Sequence, residues 1–237
     1  MTPLPLGRTY AAAWDTFRTS FARVVGIAIL IFVPATLLNA VARHIHADLD
    51  GTTWSGAGLA LTVAVVTAVA STIGSSFYAG LVDFTVHAHR HGEAHPPLRT
   101  IARRLPYWRM FGVSVAVGAI TAVGFILFIV PGLLALTLLS IAGPLLVMEG
   151  LTVGGALRRS ATLTRPHFWR VVVVVVLPTF LENTVVDGVA TFVGHTLLAE
   201  MAIHGALASV IFAYVMLLEV HAAHWLSDQD RALLRNA

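Results

Sequence analysis

Residues 107–150 read YWRMFGVSVAVGAITAVGFILFIVPGLLALTLLSIAGPLLVMEG. Between Arg109 and Glu149 there is no Asp, Glu, Lys, Arg or His. One helix needs about 20 apolar residues to cross the hydrocarbon core of a bilayer, so this run is long enough for two crossings. Pro131-Gly132 divides it and reads as a tight turn between two spans, Trp108–Val130 and Gly132–Met148. Gly143-Pro144 falls inside the second span. The missing N–H of Pro144 should kink that helix and leave a carbonyl for neighbouring helices to satisfy. The stretch is thus expected to be a helical hairpin, with Arg109 and Glu149 returned to the same side.

Four more apolar runs flank it, at Phe21–Val41, Gly58–Val86, Phe168–Val186 and Ile203–Trp225. Hydrophobic residues make up 57% of the chain and charged residues 11%, with a mean hydropathy of +0.81. The spans nearly consume the 237 residues, which leaves no room for a separate soluble catalytic domain. Cysteine is absent, excluding disulfides, thiolate metal sites and a Cys nucleophile. All the positive charge is arginine. Arg8, Arg18 and Arg23 precede the first run. Arg90, Arg99, Arg103, Arg104 and Arg109 lie between the second and third. Arg158, Arg159, Arg165 and Arg170 lie between the fourth and fifth, and Arg231 and Arg235 follow the sixth. The gaps on the other side hold Arg43 alone. By the positive-inside rule this means an even number of spans with both termini cytoplasmic. The net charge of +3 then points to anionic lipid headgroups, with no role for nucleic acid. Ala40-Val41-Ala42 resembles a signal-peptide cleavage site. The long lead before it, carrying Tyr10, Trp14 and Phe17, argues for a retained span instead. Lack of Lys and abundance of Ala, Val and Arg suit a GC-rich genome and a bacterial inner membrane.

The expected fold is therefore all-α and polytopic: six transmembrane helices in three hairpins, each preceded by an amphipathic interfacial helix. Residues 1–237 form one membrane domain with pseudo-repeats at 5–90, 97–150 and 151–226. Tyr10, Trp14, Phe17 and Phe21 make the apolar stripe of the first interfacial helix. Leu98, Ile101, Leu105 and Trp108 make the second, opposite Arg99, Arg103 and Arg104. Val153, Leu157 and Ala161 make the third, opposite Arg158, Arg159 and Arg165. An aromatic residue and an arginine mark each entry, at Phe21/Arg23, Trp108/Arg109 and Trp169/Arg170. An acid closes each hairpin, at Asp83, Glu149 and Glu219.

The segment Ile129-Val130-Pro131-Gly132-Leu133, then Gly143-Pro144-Leu145-Leu146-Val147-Met148-Glu149-Gly150, Ala156-Leu157-Arg158-Arg159-Ser160-Ala161-Thr162-Leu163 and His167-Phe168-Trp169-Arg170 carries a family likeness. It resembles the bacterial family that includes the membrane domain of glycerophosphoryl diester phosphodiesterases and the related YciC-like membrane proteins. The resemblance implies a fold and a membrane location. It implies no hydrolase activity, because the chemistry of the namesakes belongs to a separate soluble domain. At the end of the last span the family's frequent Asp-Leu-Arg is replaced by Leu217-Leu218-Glu219.

Candidate functional residues fall into four groups. Arg23, Arg109 and Arg170 are expected to pair with Asp83, Glu149 and Glu219 in a cytoplasmic clasp, the other reading being that each side chain snorkels separately to water. Arg99, Arg103, Arg104, Arg158, Arg159 and Arg165 are expected to contact lipid headgroups or a partner. Glu182 and Asp187, with the kink at Pro144, could line a polar path. His87, His89, His91 and His95 with Glu93 could hold Zn or Ni, although spacing of two and the nearby Arg90 favour a solvated loop. Small residues Gly112, Gly118 and Gly124, and Ala70, Gly74 and Ser75, permit close helix packing or self-association. No nucleophile motif, phosphate loop or paired acid and base emerges, and no cofactor is implied. The sequence thus reads as a non-enzymatic membrane scaffold or accessory module touching lipids, a partner protein or a second copy. A small transporter is the alternative.

Overall fold

An 83° elbow separates α1 (Leu6–Thr19) from the first half of α2 (Phe21–Asp48), with Ser20 at the bend. The Ser20 N–H closes α1 on the Thr16 carbonyl, and the Ser20 carbonyl already accepts from Val24. Helix direction therefore changes without a loop. The computed structural model describes residues 4–48, 74–75, 77–193 and 197–235, with side chains described except at 35–48, 183, 187, 190–193 and 197–204. Residues 77–91 form α3, ended by Gly92 at φ +64, a left-handed position suited to glycine. Then follow α4 (Leu98–Arg104), α5 (Tyr107–Leu127), α6 (Ile129–Leu139), α7 (Ala142–Glu149) and α8 (Val153–Thr164). After a short 3₁₀ turn come α9 (Phe168–Val171), a π-helical turn at Val172–Val176, α10 (Leu177–Val193) and α11 (Leu197–Arg235). There is no strand among the described residues.

Four helical stretches are long and apolar enough to cross a membrane: Tyr107–Leu127, Ile129–Glu149, Val153–Val186 and Gly205–Arg235. Counting the bent pair Leu6–Thr19 and Phe21–Pro34 as one brings the number to as many as five. Most of the second expected run, residues 58–73 with Ala70, lies outside the described residues, as does the gap ending at residue 57.

The charge-free hairpin forms, but its turn differs from expectation. A single residue, Phe128, in extended conformation (φ −167, ψ 158), joins α5 to α6. Pro131 and Gly132 sit in the first turn of α6, where a missing N–H leaves no helical bond unmade. The glycines serve the crossing instead. A Cβ on Gly124 would stand 2.8 Å from the Cα of Gly132, and one on Gly132 would meet the Phe125 ring at 2.4 Å. Only hydrogen fits there, so α5 and α6 meet backbone to backbone.

The kink at Gly143-Pro144 is present as a helix break at Ser140-Ile141. The α8 side chains serve a carbonyl beside the break, that of Leu138, and not the Ser140 carbonyl that Pro144 itself leaves without an N–H. Ser160 Oγ donates to the Leu138 carbonyl at 2.7 Å, and Thr164 Oγ1 shares its proton between that carbonyl at 3.1 Å and the Ser160 carbonyl at 2.7 Å. A second proline has a similar consequence. Pro178 can give no N–H to residue 174, and the turn ahead of it widens into the π-helical stretch Val172–Val176, buried at Val174, Val175 and Val176. The Tyr10 hydroxyl, reaching over from α1, donates to the Val173 carbonyl at 2.8 Å.

Helix α11 is the axis of the assembly, touching α1, α2, α7, α8, the π-helical turn and α10. Its Tyr214 meets the α1 aromatic stripe at Trp14 and Phe17, and its Phe212 meets Phe32 and Tyr78. The core around it is mainly apolar, with Val24, Leu81, Ile101, Ile141, Leu145, Leu217 and Leu218 fully buried. Large apolar side chains also cover the outside: Leu30, Val123, Ile126, Phe128, Ile129, Val130, Leu177, Phe180 and Leu181 are exposed.

Candidate functional site

The last turns of α11 carry a regular series of polar residues that together reach four other helices. His221 Nε2 lies 3.1 Å from Thr16 Oγ1 on α1. His224 Nε2 donates to Asp83 Oδ1 on α3 at 3.0 Å, and both side chains are 9% exposed. Asp228 accepts from Arg90 of α3 at 2.7 Å. Ser227 Oγ donates to Glu149 Oε1, at the end of α7, at 2.7 Å. Asp230 accepts from Arg159 Nη1 of α8 at 2.7 Å, and Arg231 stands 3.5 Å from Glu149. Arg159 Nε also donates to Glu149 at 3.2 Å, closing a network across three helices. Steps of three and four along α11 align these side chains on adjoining faces. One helix end thereby gathers α1, α3, α7 and α8.

A second set of contacts fixes the end of α3 and the segment after it. His89 Nε2 donates to Asp15 Oδ2 at 3.0 Å, His95 Nε2 lies 3.2 Å from Ser20 Oγ, and Arg23 donates to the Pro96 carbonyl. The His95 imidazole sits below its ordinary pKa, because partial burial and then the charges of Arg23 and His89 oppose its protonation. The loop is thus clamped to the α1–α2 elbow.

The clasp exists with other partners than the sequence suggested. No ion pair links Arg23, Arg109 or Arg170 to Asp83, Glu149 or Glu219 among the described residues. Asp83 takes His224, and Glu149 takes Arg159, Ser227 and Arg231. Arg23 and Arg170 each bind a backbone carbonyl instead, Arg170 that of Leu4 at 2.9 Å. Arg109 is exposed. Arginines at the start of a helix point back along it, toward the preceding coil. The acids, at the ends of their hairpins, meet the extension of α11.

The other candidates divide as follows. Arg99, Arg103, Arg104, Arg158 and Arg165 are exposed on α4, on α8 and just after it. Arg159 is not available to a headgroup, being half-buried in the clasp; α8 buries Ala156, Ser160 and Leu163, one position round from the expected stripe. His87, His89 and His91 stand on the last turns of α3, so the expected loop begins only at Gly92. His87 and His91 rings stack 4.3 Å apart, while His89 and His95 bind different elements. Among the described residues no three His, Asp or Glu converge into a metal-holding group. Glu182 lies within α10, which continues to Val193. The side chains of Asn183, Asp187 and His204 lie outside the described residues, as does His195.

Two cavities adjoin the clasp. One of about 370 Å³ opens between α3 and α11, lined by Asp83, His87, His91, His224, Asp228 and Arg231 among others. Another of about 170 Å³ lies between α5, the α6–α7 break and α11. Pro144, Ser140, Ser114 and Glu219 line it, and Glu182 does not. Ser227, Asp228 and Asp230 were the functional residues missed by ending the last run at Trp225, whereas His221 and His224 lie inside that run and were not assigned partners. Their spacing of three and four was the signal that the helix continues.

Comparison with known proteins gives no match among protein-family models, curated proteins or solved structures.

Proposed function

We propose that the chain is a non-enzymatic integral protein of a bacterial inner membrane, a scaffold or accessory module that contacts anionic lipids and a partner. The observation that carries this reading is segregation. Bulky apolar side chains face outward along α5, α6 and α10, whereas the ion pairs gather at one end of the bundle. A surface of that kind is stable against hydrocarbon and not against water. Trp108 and Trp169, 87% and 74% exposed beside Arg109 and Arg170, suit the interfacial position of aromatic belts.

In this reading there are six spans in three hairpins, with α1, α4 and α8 lying in the cytoplasmic interface and both termini on that side. Membership of the family with YciC-like proteins fits the segment 129–170. Arg99, Arg103, Arg104, Arg158 and Arg165 are the contact surface for phosphate-bearing headgroups, each contributing about 1 kcal/mol. The test is mass spectrometry of the protein extracted gently from its native membrane. Retained anionic lipid that falls when these five arginines become glutamine supports the reading, and a stoichiometric protein partner would name the process. Equal lipid retention by the variant would count against it. A small transporter is the second reading, favoured by the cavity at Pro144; its polar lining centres on Glu219.

A further inference from the structure

Glu219 lies on α11 and makes no hydrogen bond or ion pair among the described residues. The acids Asp83 and Glu149 are both partnered, so the lone state of Glu219 is not a general feature of this bundle. It lines the 170 Å³ cavity with the hydroxyl-bearing residues Ser114 and Ser140. Ser114 is seven residues into α5, about 10 Å along the helix from its start, and is itself exposed, so the cavity opens at the flank of the bundle, away from the rim that holds the ion pairs, with Glu219 at its inner wall.

The helix break adds a further donor. Pro144 has no N–H to give to the Ser140 carbonyl, and both residues line the cavity. Ser140 Oγ spends its proton on the Thr137 carbonyl at 3.0 Å, which leaves the oxygen's lone pairs as acceptors. The cavity therefore presents one carboxylate, hydroxyl oxygens and a carbonyl freed by a broken helix. These are hard oxygen donors with a single negative charge among them, which matches a hard cation of charge one. Unwound backbone beside a carboxylate is a recurrent way to strip water from such an ion inside a membrane. The volume is that of about six waters, enough for an ion that keeps part of its hydration shell.

We propose that Glu219, Ser114, Ser140 and the broken turn before Pro144 form a binding site for a monovalent cation of the sodium type. The site stands whether or not the exposed arginines bind lipid. The test is equilibrium binding of radioactive sodium to the full chain purified in detergent, with choline chloride holding ionic strength constant. Saturable binding is expected. Glu219→Gln should weaken it roughly tenfold or more, equivalent to about 1.4 kcal/mol. The pair Ser114→Ala and Ser140→Ala should weaken it severalfold and keep the carboxylate. If Glu219→Gln fails to elute as a single species, the serine pair decides. Absence of saturable sodium binding to the parent protein would overturn the proposal, as would unchanged affinity in Glu219→Gln or in the serine pair.

Discussion

Replacing Arg159 by leucine removes the guanidinium that joins Glu149 to Asp230. Two bonds go at once, one of 3.2 Å to Glu149 and one of 2.7 Å to Asp230. Breaking a fully buried pair from one side costs about 3–5 kcal/mol, and an exposed pair is worth about 0–1 kcal/mol. Here Arg159 is 25% exposed, Glu149 13% and Asp230 20%, so the site lies between these limits. Ser227 and Arg231 still serve Glu149 in the variant, but Asp230 loses its short charge-assisted bond. A loss of about 2–3 kcal/mol is expected, or roughly 5–10 °C in Tm for a chain of this size. Thermal unfolding of detergent-purified protein measures it. Pairing Arg159→Leu with Glu149→Gln in a double-mutant cycle should give a coupling of about 1–2 kcal/mol. Arg170→Gln with Glu149→Gln should be additive within about 0.5 kcal/mol. Additivity in the first cycle, or coupling in the second, would refute the assignment of partners.

Three further outcomes follow from the packing. Gly124→Ala places a methyl 2.8 Å from the Gly132 backbone, which has no rotamer to yield; overpacking should cost about 1–3 kcal/mol by the same assay, whereas Gly118→Ala, with open space around it, should be near neutral. Ser160→Ala combined with Thr164→Val strips both side-chain donors from the Leu138 carbonyl at the helix break, with a loss of about 1–3 kcal/mol expected for the buried acceptor left behind. For His95 the folded pKa lies below the ordinary 6.5, so the unfolded chain binds the proton first. Its contribution to stability is present above that value and is lost as pH falls below it. A small decline in Tm between about pH 7 and 5, reduced in His95→Gln, is the result to look for; an identical pH profile in the variant would remove His95 from the elbow's acid response.

Helix breaks were the most legible part of this chain. Pro144 acts through chemistry that tertiary context cannot change, and the helix breaks just ahead of it, although the α8 hydroxyls meet the Leu138 carbonyl and not the Ser140 carbonyl that Pro144 leaves without an N–H. Pro131 shows the opposite case. Proline and glycine mark both a turn and a helix start, and only the close passage of Gly124 against Gly132 decides for the helix. The α4 arginines were readable because a short amphipathic segment has one wet face. Those on α8 were readable only in part, since Arg159 looks like Arg158 until Glu149 and Asp230 are placed beside it. The acids of the clasp were legible as acids in need of partners. Their partners were not, because His224 sits inside the apolar run that marked α11 and Asp228 and Asp230 lie beyond it, and nothing local states which helix they will meet.

Single-cysteine labelling tests the membrane reading most directly, since the chain has no cysteine of its own. Variants Glu93→Cys, Thr162→Cys and Leu233→Cys mark the clasp end, and Phe128→Cys marks the other. Each is exposed to a membrane-impermeant maleimide in sealed vesicles of known orientation. The first three are expected to react only from the cytoplasmic side and the last only from the opposite side. Labelling of all four from one side would contradict a bundle that crosses the membrane.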